Sequence, residues 1–196
     1  MISTKKRICV LFAIMILVSP LLAGCIGGGG DSDDKKPFSG NIESLLLADS
    51  DLPEQFREYA ERMSMPADEI FPDDELPDDL GFQEAHALTA MFFDDNFNFG
   101  ILAQLVMRLD IEKMETAMDE YREAQEEDYE GEISSVNFGT IGDETYGLKV
   151  SDPEMGMDMY ELVFIKDDIM VIFIVSGVDN PESLIKELAK KVEGKI

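Results

Sequence analysis

The run Ile169-Met170-Val171-Ile172-Phe173-Ile174-Val175 is apolar at every position. Side chains of an extended strand alternate between two faces, so this run leaves no face for water. It belongs at the centre of a sheet. The segment 157–166 before it is also strand-like, and Asp167-Asp168 between the two reads as a hairpin turn.

Periodicity places the other elements around that hairpin. Residues 82–93 alternate and read as a strand, followed by a turn at Asp94-Asp95-Asn96. Residues 99–109 alternate more strictly, with Phe99, Ile101, Ala103, Leu105, Met107 and Leu109 on one face. Asp110 then has the character of a helix N-cap, and Met114, Ala117, Met118, Tyr121 and Ala124 follow at helical spacing. Short strands are expected over 136–141 and 144–150. Asn180, with Pro181 after it, reads as the cap of a last helix whose Leu184, Ile185, Leu188, Ala189 and Val192 face the core. Nearer the start, residues 42–48 form a short apolar helix candidate, and 56–65 fits either a helix or an edge strand. Pro66, Pro72 and Pro77 make 66–81 a loop.

Strands joined by short turns imply a mostly antiparallel sheet with helices packed against it, an α+β fold. Three segments carry a resemblance within it. They are Asp51-Leu52-Pro53 after a short helix, Ile141-Gly142-Asp143-Glu144 before a strand, and the hairpin from Tyr160 to Val175 leading into Leu188-Ala189-Lys190-Lys191-Val192. With the order β-β-α-β-β-β-β-α, these resemble the Mog1/PsbP-like fold of several extracytoplasmic lipoprotein families. That resemblance implies a protein that binds partners or stabilises assemblies, since few members are enzymes.

The N-terminus has its own signature. Lys5, Lys6 and Arg7 precede an apolar stretch from Ile8 to Val18, and Leu22-Ala23-Gly24-Cys25 closes it. A positive segment, a short apolar core and small residues form the layout of a cleaved signal, and the core is short for a bilayer span of about 20 residues. Leu22-Ala23-Gly24-Cys25 reads as a lipobox, and residues 1 to about 35 resemble bacterial and archaeal lipoprotein precursors. The resemblance implies that Cys25 becomes the first mature residue and carries lipid, at about 0.8 kcal/mol of membrane affinity per buried CH₂. The expected organisation is a signal peptide over 1–24, the lipidated cysteine and a flexible Gly/Asp-rich linker over 25–40, and one α+β extracytoplasmic domain over 41–196. The expected location is the extracytoplasmic face of the cell membrane, held by the lipid. Cys9 is the only other cysteine, and it lies in the signal. The mature chain is therefore expected to fold without a disulfide and to lack a thiol nucleophile.

The formal charge is −26, with 42 acidic residues against 16 basic ones. Removing a signal that holds Lys5, Lys6, Arg7 and no acid takes it from −26 to −29. Hydrophobic content of 45% excludes a disordered acidic tail. Such a surface repels nucleic acid, which is not expected as a partner.

Several segments are candidates for chemistry. Met155, Met157 and Met159 fall at i, i+2 and i+4, so a strand would align three thioethers, a set that suits Cu(I). Met63-Ser64-Met65 repeats the spacing once. The same residues also suit core packing or an adaptable contact surface. Asp73-Asp74-Glu75 and Asp78-Asp79 could gather oxygen ligands for Ca²⁺, although their spacing differs from a helix-loop-helix calcium loop. His86 is the only histidine and has no evident nucleophile beside it. The glycines of Gly142-Asp143-Glu144-Thr145-Tyr146-Gly147 mimic a phosphate loop, but Leu148 stands where lysine is needed. Phe97, beside the acidic turn 94–96, is a candidate contact residue if it is exposed.

No catalytic residue and no cofactor are expected. The leading expectation is a membrane-anchored, non-catalytic binding or interaction module with a protein or small-molecule partner. The alternative is metal handling, by the methionine run for Cu(I) or the acidic loop for Ca²⁺.

Overall fold

An all-apolar strand needs cover on two faces, and the chain supplies it. The computed structural model describes residues 36–66, 83–93, 98–114, 116–119, 121–122, 132–152 and 157–196. Its strands are β1 (Ala60–Pro66), β2 (Glu84–Phe93), β3 (Phe99–Arg108), β4 (Glu132–Ser135), β5 (Glu144–Asp152), β6 (Met157–Lys166) and β7 (Ile169–Ser176). They form one seven-stranded sheet in the order β1-β2-β3-β7-β6-β5-β4, with every pairing antiparallel. β7 takes the middle position, and none of its residues is more than 6% exposed. The chain runs outward-in twice, β1 to β3 and β4 to β7, and the β3–β7 pairing joins the two halves.

Strand parity sorts the core into two layers. Leu88, Ala90, Leu102, Val106, Leu162, Phe164, Val171, Phe173 and Val175 lie on one face. The C-terminal helix (Pro181–Glu193) covers that face with Ile185, Leu188, Ala189 and Val192. Three 3-10 turns, Ile42–Leu45, Asp49–Asp51 and Glu54–Phe56, complete the cover with Ile42, Leu45, Leu47, Leu52 and Phe56. The opposite face presents Ala85, Ala87, Leu105, Met107, Val163, Ile165, Met170, Ile172 and Ile174. Helical residues 114, 116–119, 121 and 122 lie on it, through Met114, Ala117, Met118 and Tyr121. Removing two fully buried phenylalanines such as Phe164 and Phe173 from water contributes about 2–3 kcal/mol each.

The layers agree with an antiparallel sheet bearing helices, but helix is scarce among the described residues and the fold is mainly β. Several elements differ from expectation. Residues 136–141 are not a strand; the strand there is Glu132–Ser135. Val136 keeps one ladder bond, N–H to the Gly147 carbonyl at 2.9 Å. Gly139 then turns at φ +76°, and its N–H donates to the Asn137 side chain at 2.8 Å. The chain folds back so that Phe138 lies over Gly147, where any Cβ would meet the Phe138 ring. The ambiguous segment 56–65 resolves into the turn Glu54–Phe56 and edge strand β1. The helix expected over 42–48 is a single 3-10 turn, Ile42–Leu45, capped by the Asn41 side chain accepting from the Glu43 N–H at 2.9 Å. Asn180 does not cap with its side chain. It sits at φ 52°, ψ 54°, and its carbonyl accepts from Ser183 and Leu184 instead. Asp110 does cap its turn, accepting from the Glu112 N–H at 3.2 Å.

Two polar side chains tie residues 38–47 to the sheet. Gln104 is 1% exposed. Its Oε1 accepts from the Leu47 N–H at 2.8 Å, and its Nε2 donates to the Leu45 carbonyl at 3.0 Å. Arg108 donates through Nη2 to the Phe38 and Gly40 carbonyls, and the Phe38 N–H donates to Asp168 at 2.6 Å. Among the described residues, no helix is long and apolar enough to cross a membrane.

Candidate functional site

The strands β2, β3, β6 and β7 meet at one end of the sheet, and there they surround an open cleft of about 700 Å³. That volume lies in the range of small-molecule sites, about 300–1,000 Å³. Phe92 and Phe99 come from the ends of β2 and β3, Met157, Asp158 and Tyr160 from β6, and Gly177, Val178 and Asp179 from the segment after β7.

Two glycines shape the walls. Gly177 has φ +70°, a conformation that side chains rarely adopt, and a Cβ on it would sit on the Phe99 carbonyl oxygen. The chain leaving β7 therefore crosses tightly over the start of β3. Gly100 leaves room for the Phe92 ring, which a Cβ there would strike. Phe92 in turn stands edge-on to Phe56, with centroids 5.1 Å apart and planes at 78°. The aromatic wall is thus packed from behind.

The polar side of the cleft is a small charge network. Asp158 accepts from the Ser151 hydroxyl at 2.7 Å and pairs with Lys149 at 2.7 Å. The Lys149 ammonium and, less strongly, the Ser151 hydroxyl hold the Asp158 carboxyl below its ordinary value, while Asp158 raises Lys149. The Lys149 ammonium also lies 5.7 Å from the Tyr160 ring centroid. Asp179 is exposed, and no lysine or arginine is among the described lining residues.

The structure scatters most residues singled out from the sequence. Met157 and Met159 share one face of β6; Met159 packs against the core on the side away from the C-terminal helix, and Met157, at the first position of the strand, borders the cleft. Met155, Phe97, the acidic residues of 73–79 and Cys25 lie outside the described residues. Met63 is on β1, four strand positions from β6, or about 19 Å across the sheet. The two methionine pairs therefore do not converge. His86 is buried, with Nδ1 3.0 Å from the Ser64 hydroxyl and Nε2 2.7 Å from Glu84. Both ring nitrogens are engaged with neighbours along β1 and β2. Gly142 is a turn glycine at φ +66°, pressed against the Ile165 carbonyl. Among the described residues, no three His, Cys, Asp or Glu side chains gather as a metal site.

Sequence reasoning missed Glu161. It is 1% exposed on the face opposite the C-terminal helix, where Tyr121 donates to its Oε1 at 2.6 Å. Its Oε2 has no hydrogen-bond partner among the described residues. Burial pushes its carboxyl up to about 7, against a smaller lowering by the Tyr121 hydrogen bond. Met107, Met114, Met118 and Met170 share that face's core, and the other core holds no methionine among the described residues. Unbranched methionine fills the irregular gaps where a helical segment crosses strands.

No family model matches the sequence. No curated protein matches it either. Among solved structures, the chain is similar to the extracellular domain of PknH from Mycobacterium tuberculosis, with a TM-score of 0.56 and 12% identity, covering 83% of this chain and 100% of that one. An Rv0999 orthologue from Mycobacterium smegmatis gives a TM-score of 0.44 at 12% identity, over 79% of this chain and 95% of that one. At this identity the likeness to the PknH domain is one of fold.

Proposed function

We propose that this chain is a lipid-anchored extracytoplasmic protein whose cleft binds a partner without catalysis. The observation that carries the reading is the cleft itself. Its aromatic wall and Asp158–Lys149–Tyr160 network are held by packing and hydrogen bonds, as a recognition surface requires. No nucleophile paired with a base stands among its described lining residues. The lipobox ending at Cys25 supports a location outside the cytoplasm, as does a fold shared with the extracellular domain of another protein. The Mog1/PsbP-like resemblance belongs to the same reading, because it too implies partner binding.

Metal handling is the second reading, favoured only by Met157 at the cleft wall, two residues beyond Met155. A photoreactive phenylalanine at Tyr160, and another at the exposed Glu112, beyond the far end of β3, test the first reading in cells. A discrete adduct is expected from position 160 and none from 112. Equal labelling at both, or none at 160, would count against the cleft. Calorimetry with Cu(I) and with Ca²⁺ tests the second. Stoichiometric Cu(I) heat lost in Met157→Leu would replace the binding module with a copper site.

A further inference from the structure

The cleft is a gap in the cover of one sheet face. Phe92 pairs with Gly100, two residues beyond the row Ala90-Leu102-Val175-Tyr160, so Phe92, Asp158 and Tyr160 belong to the face that carries the C-terminal helix. The turn Glu54–Phe56 and the helix that begins at Pro181 both cover this face, and Gln55 and Pro181 border the cleft where their cover stops. Phe92 stands on β2 and Tyr160 on β6, with β3 and β7 between them. The floor between the two rings holds Gly100 and Gly177, which carry no side chain to fill it.

Charge narrows what such a cleft can hold. Its described lining residues include no lysine or arginine, and the nearby Lys149 is held by Asp158 at 2.7 Å, so an anion meets no unpaired counter-charge there. The same contact offsets the charge of Asp158, and a cation would meet little more than the exposed Asp179. The lining is rich instead in hydrogen-bonding groups. Gln55 and Asn98 bring amides, and Asp158 and Asp179 bring carboxylates. An amide offers both donors and an acceptor, and a carboxylate has about four acceptor sites, so Asp158 keeps acceptors beyond those that Ser151 and Lys149 occupy.

From the reading of the cleft as a binding site, on which this rests, we infer that its ligand is a neutral saccharide, a short oligosaccharide or the end of a longer chain. A sugar ring has the matching duality. Its C–H faces are apolar and lie against the Phe92 and Tyr160 rings, and its hydroxyls, each a donor and an acceptor, meet the amides and carboxylates at the rim. A volume of about 700 Å³ suits such a ligand.

The test uses the full chain, kept in a detergent without a sugar headgroup. Saturation-transfer NMR probes maltotriose, mannotriose and N-acetylchitotriose, with trigalacturonate and deacetylated chitotriose as anionic and cationic counterparts. At least one neutral trimer is expected to bind, fivefold or more tighter than either charged one. Gln55→Ala, at an exposed rim position, is expected to weaken that binding at least threefold, and Tyr160→Leu at least fivefold. Glu187→Gln, at an exposed acid of the C-terminal helix, is expected to change it less than twofold. No binding of any neutral trimer, tighter binding of a charged one, or binding left unchanged by Gln55→Ala overturns the saccharide. A photoreactive adduct to a protein at position 160, together with no sugar binding, leaves the cleft as a binding site while the saccharide falls. Absence of both removes the cleft as well.

Discussion

Replacing Gln104 by leucine is expected to destabilise the fold by about 2–5 kcal/mol, although the two side chains are close in size. Gln104 stands between Leu102 and Val106 on a fully apolar face, and its amide is the partner of two backbone groups of residues 45–47. Leucine would leave the Leu47 N–H and the Leu45 carbonyl buried, since both residues are 0% exposed. Each unsatisfied buried group costs about 1–3 kcal/mol. Urea denaturation of the two proteins measures the difference. Arg62→Ala is the comparison, because Arg62 also holds this segment, donating to the Leu47 carbonyl at 2.8 Å and to Asp49 at 2.7 Å, but from a partly exposed position. Its loss is expected to cost under about 1 kcal/mol. A Gln104→Leu cost below that of Arg62→Ala would mean that the segment is held by apolar packing and not by the amide.

The second large effect has the opposite sign. Glu161→Gln is expected to stabilise the protein above pH 7. The folded carboxyl titrates at about 7 because burial penalises its charge, whereas its ordinary value is 4.5. Between those two values the folded state holds a proton that the unfolded state has released. Stability therefore falls as pH rises from about 4.5 to about 7, and levels off above. The full difference is about 3 kcal/mol. Glutamine keeps an oxygen to accept from Tyr121 and carries no charge, but its amide nitrogen takes the place of the unpartnered Oε2. That replacement returns about 1 kcal/mol, so a net gain of about 2 kcal/mol is expected at pH 8 and a net loss of about 1 kcal/mol near pH 4.5, where the carboxyl carries no penalty. Urea unfolding across pH 4.5–8.5 reads the crossing directly. A difference between the two proteins that stays flat with pH would mean that Glu161 is hydrated in the folded state.

Strong periodicity was legible, and its exceptions mark where tertiary structure decides. The 157–166 and 169–176 hairpin has the expected bounds, because an all-apolar arm allows one placement only. Residues 136–141 misled because Val136 and Phe138 alternate as a strand would, yet Gly139 turns the chain and Gly147 lets Phe138 fold over it. Neither event is local to the pattern. The cleft could not be read at all. It gathers Phe92, Phe99, Met157 and Gly177, which are distant in sequence, and only the β3–β7 pairing brings them to one end. Glu161 did leave a signal, a lone acid in Tyr160-Glu161-Leu162-Val163-Phe164 whose alternate positions are Val163 and Ile165. Met157 and Met159 do share a face of β6, as their spacing predicts, but which neighbours each one meets is decided by strand pairing and not by the spacing.

Detergent phase partitioning of the intact protein expressed in cells tests the central claim most directly. Wild-type chain is predicted to enter the detergent phase, and Cys25→Ser, which removes the sulfur that would carry lipid, to stay in the membrane fraction as a precursor without the lipid mass. Wild-type protein found wholly in the aqueous phase, with no lipid on Cys25 by mass spectrometry, would contradict the account.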